Sequence, residues 1–354
     1  MQKSSQPLNT TGSNLPPFFA GLLPEGLRLN ALKNRLKTSA DDLFTLFAAA
    51  GEHVIGDVYS KSEQTTAVPT AVPALKKIDF REYLATLLSS DSYERGEDSI
   101  AGVQEKISAS MISFPLNIAR DKHAFILKLD PADKPGLVNN ELHSMTLAQK
   151  CGLNTAKVKL VRDGNSNAGL LIQRFDREYD EKNSCMQMHH QEDACQFLNR
   201  YPADKYRLSL NEIAEGISAV ASAPTVLILQ LLRLYCFSYL LGNGDLHAKN
   251  ISLMVRHGST LVELTPAYDL ICTLIYGDHN MAIKIDGRDD NIRRATIMEF
   301  ARRFGLPSMA ITEMLDRLLA AFSKHQSILE KIAMGTKQRA FLKKTIQKRL
   351  ADLS

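Results

Sequence analysis

Apolar and polar positions divide the chain into a polar start, two helical tracts, a mixed middle and a mainly helical second half. Residues 1–14 are polar and are expected to be disordered. Order is expected to begin at LPPFFAGLLPEG, Leu15 to Gly26. Ser39 predicts a helix N-cap, because Asp42 stands three positions on and the apolar run DDLFTLFAAA follows. Gly51 predicts the end of that helix, where a glycine can take left-handed backbone. KSEQTTAVPTAVP, Lys61 to Pro73, reads as a linker. Phe80, Tyr83, Leu84, Leu87 and Leu88 then recur at helical spacing, and the polar stretch Ser89 to Asp98 closes this region.

From Ser99 to about Arg177 the pattern changes. SIAGVQEKISASMISF reads as strand, turn and strand, AFILKLD as a short strand and GLLIQRF as another. Between them NNELHSMTLAQKCG predicts a helix with Leu142, Met145 and Ala148 on one face and Gly152 as its stop. Strands around one helix make an α+β lobe. Beyond Glu178 the pattern is mainly helical. The most apolar stretch, Val226 to Leu241, carries Gln230 and Arg233 and is short for a bilayer span, so a buried helix over Thr225 to Leu241 is expected. That helix runs into GNGDLHAKN, then a hairpin of ISLMV, a turn at HGS and LVEL. Further helices finish the chain, broken at Gly305-Leu306-Pro307. The expected division is a polar start at 1–14, a helical segment at 15–93, a small β-containing lobe at 94–177 and a mainly helical lobe at 178–354.

Composition changes little in this picture. A chain of 354 residues is long enough for two domains, and a formal charge of +4 points to no particular partner. The N-terminus has no apolar stretch of the kind a secretory signal needs, and no membrane association is expected. Cys151, Cys185, Cys195, Cys236 and Cys272 are odd in number and widely spaced, which predicts reduced thiols in a cytoplasmic protein. His189 and His190 lack a second ligand pair at metal spacing and are expected on a solvated loop. HQEDACQ, His190 to Gln196, is expected as a solvated loop as well, with a structural or peptide-contact role as the alternative. Residues 324–354 hold eight Lys/Arg and two Asp/Glu, which predicts a solvated amphipathic helix face, with a phosphate-contacting face towards nucleic acid as the alternative.

The loop Gly242 to Asn250 carries the strongest chemical signal. Asp245 and Asn250 stand five positions apart, and Asp269 follows nineteen residues later, directly after the hairpin. An aspartate there can accept the proton of an attacking hydroxyl, while an asparagine and a second carboxylate hold Mg²⁺ on the phosphates. Each residue alone would pass for a turn or cap residue; the three in this order and spacing make that the minor reading. Lys128 lies within the apolar strand FILKL, where its charge needs a partner: a phosphate, with Glu141 on the next helix to hold it. Strand alternation places Ile126 and Lys128 on one face and Phe125, Leu127 and Leu129 on the other, so a solvated edge-strand lysine stays open. SIAGVQEK, with one glycine, can form a phosphate-covering turn or a plain hairpin, and QRFDRE, Gln173 to Glu178, an adenine-binding hinge or a mere connector.

LPPFFAGLLPEG, SIAGVQEKIS, FILKL, NNELHSMTLAQKCGL, QRFDR, QEDACQ, GDLHAKN and LTPAYDL, in that order, together resemble the HipA family of bacterial toxin kinases. SIAGVQEK and QEDACQ are specific to that family; a loop like GDLHAKN also occurs in aminoglycoside-type phosphotransferases. The resemblance implies an α+β, two-lobed protein-kinase-like fold and a serine/threonine kinase using ATP and Mg²⁺. It implies a cytoplasmic toxin that phosphorylates an aminoacyl-tRNA synthetase, inhibits translation and promotes dormancy. A helix-turn-helix, HipB-like antitoxin would neutralise it and repress the operon, DNA being met only through that partner. Residue by residue, Asp245 looks like the general base, Asn250 and Asp269 like the Mg²⁺ ligands and Lys128 like the ATP lysine supported by Glu141. Ile100, Ala101, Gly102, Val103, Gln104, Gln173, Phe175, His247 and Lys249 look like further ATP contacts, and Ser99 like an autophosphorylation site.

Full-length members carry a β-rich subdomain ahead of LPPFFAGLLPEG. Here 14 residues precede it, so the chain resembles the split, HipT-like members and is expected to have a small, separately encoded HipS-like partner, with an isolated truncated fragment as the alternative. Two other readings are an aminoglycoside-type phosphotransferase and a non-catalytic partner of a DNA-binding repressor. SIAGVQEK and the N-terminal segment argue against the first, and joint presence of Lys128, Asp245, Asn250 and Asp269 against the second.

Overall fold

The computed structural model describes residues 15–51, 54–60, 74–83, 111–118, 121–131 and 134–354. The expectations for residues 1–14, the linker at 61–73, Leu84, Leu87, Leu88 and the loop from Ser99 through Ile100, Ala101, Gly102, Val103 and Gln104 lie outside the described residues.

The described residues open with three helices, α1 (Pro17–Gly21), α2 (Gly26–Leu36) and α3 (Leu43–Ala50). Asp42, not Ser39, caps α3: its side chain accepts from the Thr45 amide at 3.2 Å, while Ser39 accepts from the amide of Asp41. The reason is local, since Asp42 immediately precedes the first helical residue and a cap must reach the N2 or N3 amide.

A four-stranded antiparallel sheet follows, in the order β1 (Ile112–Asn117), β2 (Ala124–Leu129), β4 (Ala168–Gln173), β3 (Val158–Arg162). Its two faces are covered by different partners. Phe114, Leu116, Leu127, Leu129, Val161 and Leu171 pack with Phe80 on one side. On the other lies α4 (Leu137–Lys150), with Ile126 against the main core. Both faces of β2 are therefore occupied, and Lys128 is not a solvated edge-strand lysine.

The second lobe is built on α7 (Pro224–Leu241), which starts at a proline and has twelve of its residues buried. It is long and apolar enough to cross a bilayer, yet 67% of it is covered by the protein's own core. Around it pack α5 (Ala194–Phe197), α6 (Leu210–Val220), α8 (Arg294–Arg303), α9 (Ser308–His325) and α10 (Thr336–Leu353). The mainly helical expectation omits the hairpin β5 (Arg177–Asp180) with β6 (Cys185–Met188), and the strand β7 (His190–Asp193) of a second small sheet with β8 (Ser252–Val255) and β9 (Val262–Leu264). β8 and β9 are the expected hairpin; β7 adds a third strand to it.

That strand corrects the reading of HQEDACQ as a solvated loop. Glu192, Asp193 and Gln196 are buried, and Asp193 and Gln196 form a reciprocal capping box at the start of α5. His189 is also buried: the His257 amide donates to its Nδ1, and its Nε2 lies 3.2 Å from Glu178. The basic C-terminal helix is the expected amphipathic one with one exception. Arg349 is buried, donating to the Tyr239 carbonyl and lying over that ring at 4.3 Å. The expected two-lobed α+β fold is the one observed.

Candidate active site

The loop after α7 is fixed by backbone chemistry. Gly242 ends the helix at φ +77°, a conformation that favours glycine, and Leu274 already stands where a Cβ would be. The Gly244 amide donates to the Thr273 hydroxyl at 2.7 Å. The Asn243 side chain accepts from the Asp245 amide, and the Asn250 amide group donates to the Asp245 carbonyl at 3.1 Å. Asp245 and Asn250 are thus joined across the turn, and both are buried.

The two lobes meet at Lys128. Its ammonium contacts both Glu141 oxygens at 2.9 Å and Asp269 Oδ1 at 2.6 Å. Glu141 is fully buried on α4, and Asp269 follows the β8–β9 hairpin in left-handed backbone at φ +56°. A non-glycine residue there is uncommon, least so for Asp or Asn, and such positions gather at functional sites. Burial alone would depress the Lys128 ammonium, but the Asp269 and Glu141 carboxylates outweigh it and hold it above the ordinary lysine value. Burial opposes ionisation of Asp269 too, and Lys128 overrides it, keeping that carboxyl below its usual value. Burial pushes Glu141 up to about 7.

His247 lies edge-on to Tyr206 at 5.1 Å between ring centres. Its Nδ1 is buried without a hydrogen-bond partner among the described residues. Burial first, then the Lys205 charge, lowers it to about 4, so the ring is neutral at neutral pH. Phe175 packs against Tyr268 at 5.8 Å, and the Gln173 amide donates to the Lys157 carbonyl. Lys249 points to the N-terminal segment: it contacts Asp193 at 2.9 Å and the Gly21 carbonyl at 3.0 Å.

The sequence reading missed that docking. Gln196 donates to the Phe18 carbonyl, and Lys205 pairs with Glu25 at 2.7 Å. Arg174 and Arg177 both bond Asp176 and the Val54 carbonyl, while the Gly56 amide donates to Asp176 at 2.9 Å. Gly56 sits at φ +84° against the Gln191 backbone, where a Cβ would be strained and would crowd that amide and carbonyl at 3.2 Å. Asn250 and Asp269 present an amide and a carboxylate, the hard oxygen donors that Mg²⁺ accepts alongside phosphate and water. That donor chemistry fits the ion the resemblance implies.

His190 closes this docking surface. Asp57 stands 2.7 Å from its Nδ1 and Glu192 2.8 Å from its Nε2. Asp57, then Glu192, raise it to about 9 against the opposing effect of burial. The protonated form is favoured in the folded protein. Its contribution is therefore complete below the free value of 6.5 and is lost as pH rises through about 9. Scanning calorimetry at pH 7 and pH 10 should show a fall in thermal midpoint that is smaller in His190→Gln. Equal falls in both proteins would contradict the assignment.

Comparison with known proteins bears on the whole chain. The family model described as HipA-like C-terminal domain matches residues 98–326, and the one described as HipA N-terminal domain matches residues 1–61. Y4mE of Sinorhizobium fredii is 29% identical over 289 residues, 77% of this chain and 68% of its own length. The serine/threonine-protein kinase toxin HipA of Shewanella oneidensis is 27% identical over 355 residues, covering 93% of this chain and 80% of that protein. A solved complex of Shewanella oneidensis MR-1 HipA with HipB and operator DNA superposes with a TM-score of 0.70 at 23% identity, over 95% of this chain and 84% of that one.

Proposed function

The chain belongs to the HipA family, and from that premise we propose that it transfers the γ-phosphoryl group of ATP to a serine or threonine hydroxyl of a protein. The observation that carries this reading is Lys128, held by Glu141 in one lobe and by Asp269 in the other, with Asp269 within electrostatic reach of His247 in the loop that carries Asp245 and Asn250. Phosphoryl transfer asks mainly for positioning and charge stabilisation, and this arrangement offers both.

In this reading the substrate hydroxyl oxygen attacks the γ-phosphorus while its proton passes to the Asp245 carboxylate. The bond to the β–γ bridging oxygen breaks, and ADP leaves. Lys128 binds the phosphates. Neutral His247 lines the site with them, and Gln173 and Phe175 border the adenine. Asn250 and Asp269 would hold Mg²⁺, which when bound neutralises phosphate charge. On the resemblance in sequence alone, Ile100, Ala101, Gly102, Val103 and Gln104 are further ATP contacts and Ser99 is the autophosphorylation site.

The biological role we propose is that of a toxin acting on an aminoacyl-tRNA synthetase, with a HipB-like helix-turn-helix antitoxin and a small HipS-like protein as partners. The Shewanella oneidensis complex supports the antitoxin; the synthetase and the small protein rest on the resemblance in sequence. Phosphoproteomics after brief induction of wild type and of Asp245→Asn tests the substrate. A phosphosite on a synthetase, present with wild type only, is the expected result. Wild-type-specific phosphosites confined to other proteins would replace the synthetase.

A further inference from the structure

We infer that Tyr206 is a positioning residue for the proposed base, one whose hydroxyl fixes the Asp245 carboxylate from outside the catalytic loop. This rests on the reading of Asp245 as the proton acceptor. The Tyr206 hydroxyl donates to Asp245 Oδ1 at 2.9 Å, across 39 positions of sequence. The tyrosine lies in the stretch joining the short helix α5 to α6, and no motif in the sequence pointed to it.

Three features make this contact more than incidental. The donor is the right one, because burial and then the Asp245 charge raise the Tyr206 phenol well above its ordinary value. It therefore remains an O–H at any pH the protein meets. The ring is immobilised, edge-on to His247 at 5.1 Å and under the Lys205 ammonium at 5.5 Å. The residue before it is tied to the same loop: the Lys205 carbonyl accepts from the Ala248 amide at 3.0 Å, while the Lys205 side chain reaches Glu25. A two-residue brace, Lys205-Tyr206, thus holds the catalytic loop by its backbone and its carboxylate at once, and anchors it to the N-terminal segment.

A carboxylate turns freely about its terminal torsion unless something holds it. A base must meet its proton within hydrogen-bond reach and in the right plane. Holding Oδ1 fixes that plane without touching nucleotide or substrate, so removing the hydroxyl should slow the transfer step and leave ATP binding alone.

The test is a cycle of wild type, Tyr206→Phe, Asp245→Asn and the double variant, with kcat, KM for ATP and calorimetric ATP affinity measured for each. Tyr206→Phe should lose roughly 10- to 100-fold in kcat, the effect of one hydrogen bond to a charged group, with KM and ATP affinity unchanged. In the Asp245→Asn background the same substitution should change nothing, because its effect passes through the carboxylate. An unchanged kcat in Tyr206→Phe, a parallel loss of ATP affinity, or an equal loss in both backgrounds would overturn the inference. If wild type and Asp245→Asn transferred phosphate equally fast, the reading of Asp245 would itself have failed, which is a separate outcome. Should Tyr206→Phe not fold, the ¹³Cζ resonance of Tyr206 decides instead: it should move on Asp245→Asn substitution, and an unmoved resonance overturns the contact.

Discussion

Asp245→Asn should lose on the order of 10²- to 10⁴-fold in phosphoryl transfer, the range a positioned general base contributes, and should keep its fold. The second half of that expectation follows from how the loop is built. The turn is held by the Asp245 amide and carbonyl, through Asn243 and Asn250, and these survive the substitution. An asparagine can still meet the Tyr206 hydroxyl, but it cannot take up a proton as the carboxylate does. Thermal midpoint and ATP affinity should therefore stay close to wild type while the initial rate collapses. A rate within threefold of wild type would remove Asp245 from the mechanism.

Lys128→Met should fail for a different reason and fail twice. Without the ammonium, Glu141 and the quarter-exposed Asp269 face one another with no cation between them, and Glu141, already raised to about 7 beside Lys128, is driven to take up a proton. Removing one partner of a buried ion pair costs about 3–5 kcal/mol, because the remaining charge is uncompensated. Activity should fall by on the order of 10²-fold or more, since a charge placed on the phosphates is lost as well. The two losses separate in the double variant Lys128→Met/Glu141→Gln. Glu141→Gln places a neutral amide beside Asp269 without the cost of taking up a proton, so urea unfolding should show part of the stability regained, while the rate should remain at the Lys128→Met level. Full stability in Lys128→Met alone would mean the three side chains do not form the interlobe ion pair described here.

Much of this site was legible in the sequence because its residues sit in short runs. The Asp245–Asn250 loop follows an apolar helix and precedes a hairpin, and both elements stand where the pattern put them. The Lys128–Glu141 pair was legible for the same reason, as thirteen positions separate them. What stayed hidden depends on long-range contacts or on backbone acceptors. Lys128 meets Asp269 across 141 positions, and alternation along one strand cannot say which of two covered faces holds an ionic partner. The N-terminal segment docks largely through the carbonyls of Phe18, Gly21 and Val54, and a carbonyl carries no side-chain signature. β3 escaped notice because Lys159 and Arg162 make KVKLVR look solvated, as befits an edge strand with much of its surface exposed. The histidine pair was misplaced since a buried His189 and a His190 held by Asp57 and Glu192 need partners that only folding supplies.

The central claim is Asp245-dependent transfer of the ATP γ-phosphate to protein, and γ-³²P-labelled ATP with Mg²⁺ tests it most directly. Purified wild type and Asp245→Asn would each be incubated with a host lysate stripped of small molecules, and the protein fraction resolved and hydrolysed for phosphoamino acids. The expected result is label on phosphoserine or phosphothreonine with wild type and background label with Asp245→Asn. Equal protein labelling by the two, or wild-type label recovered only in added small molecules, would contradict the account.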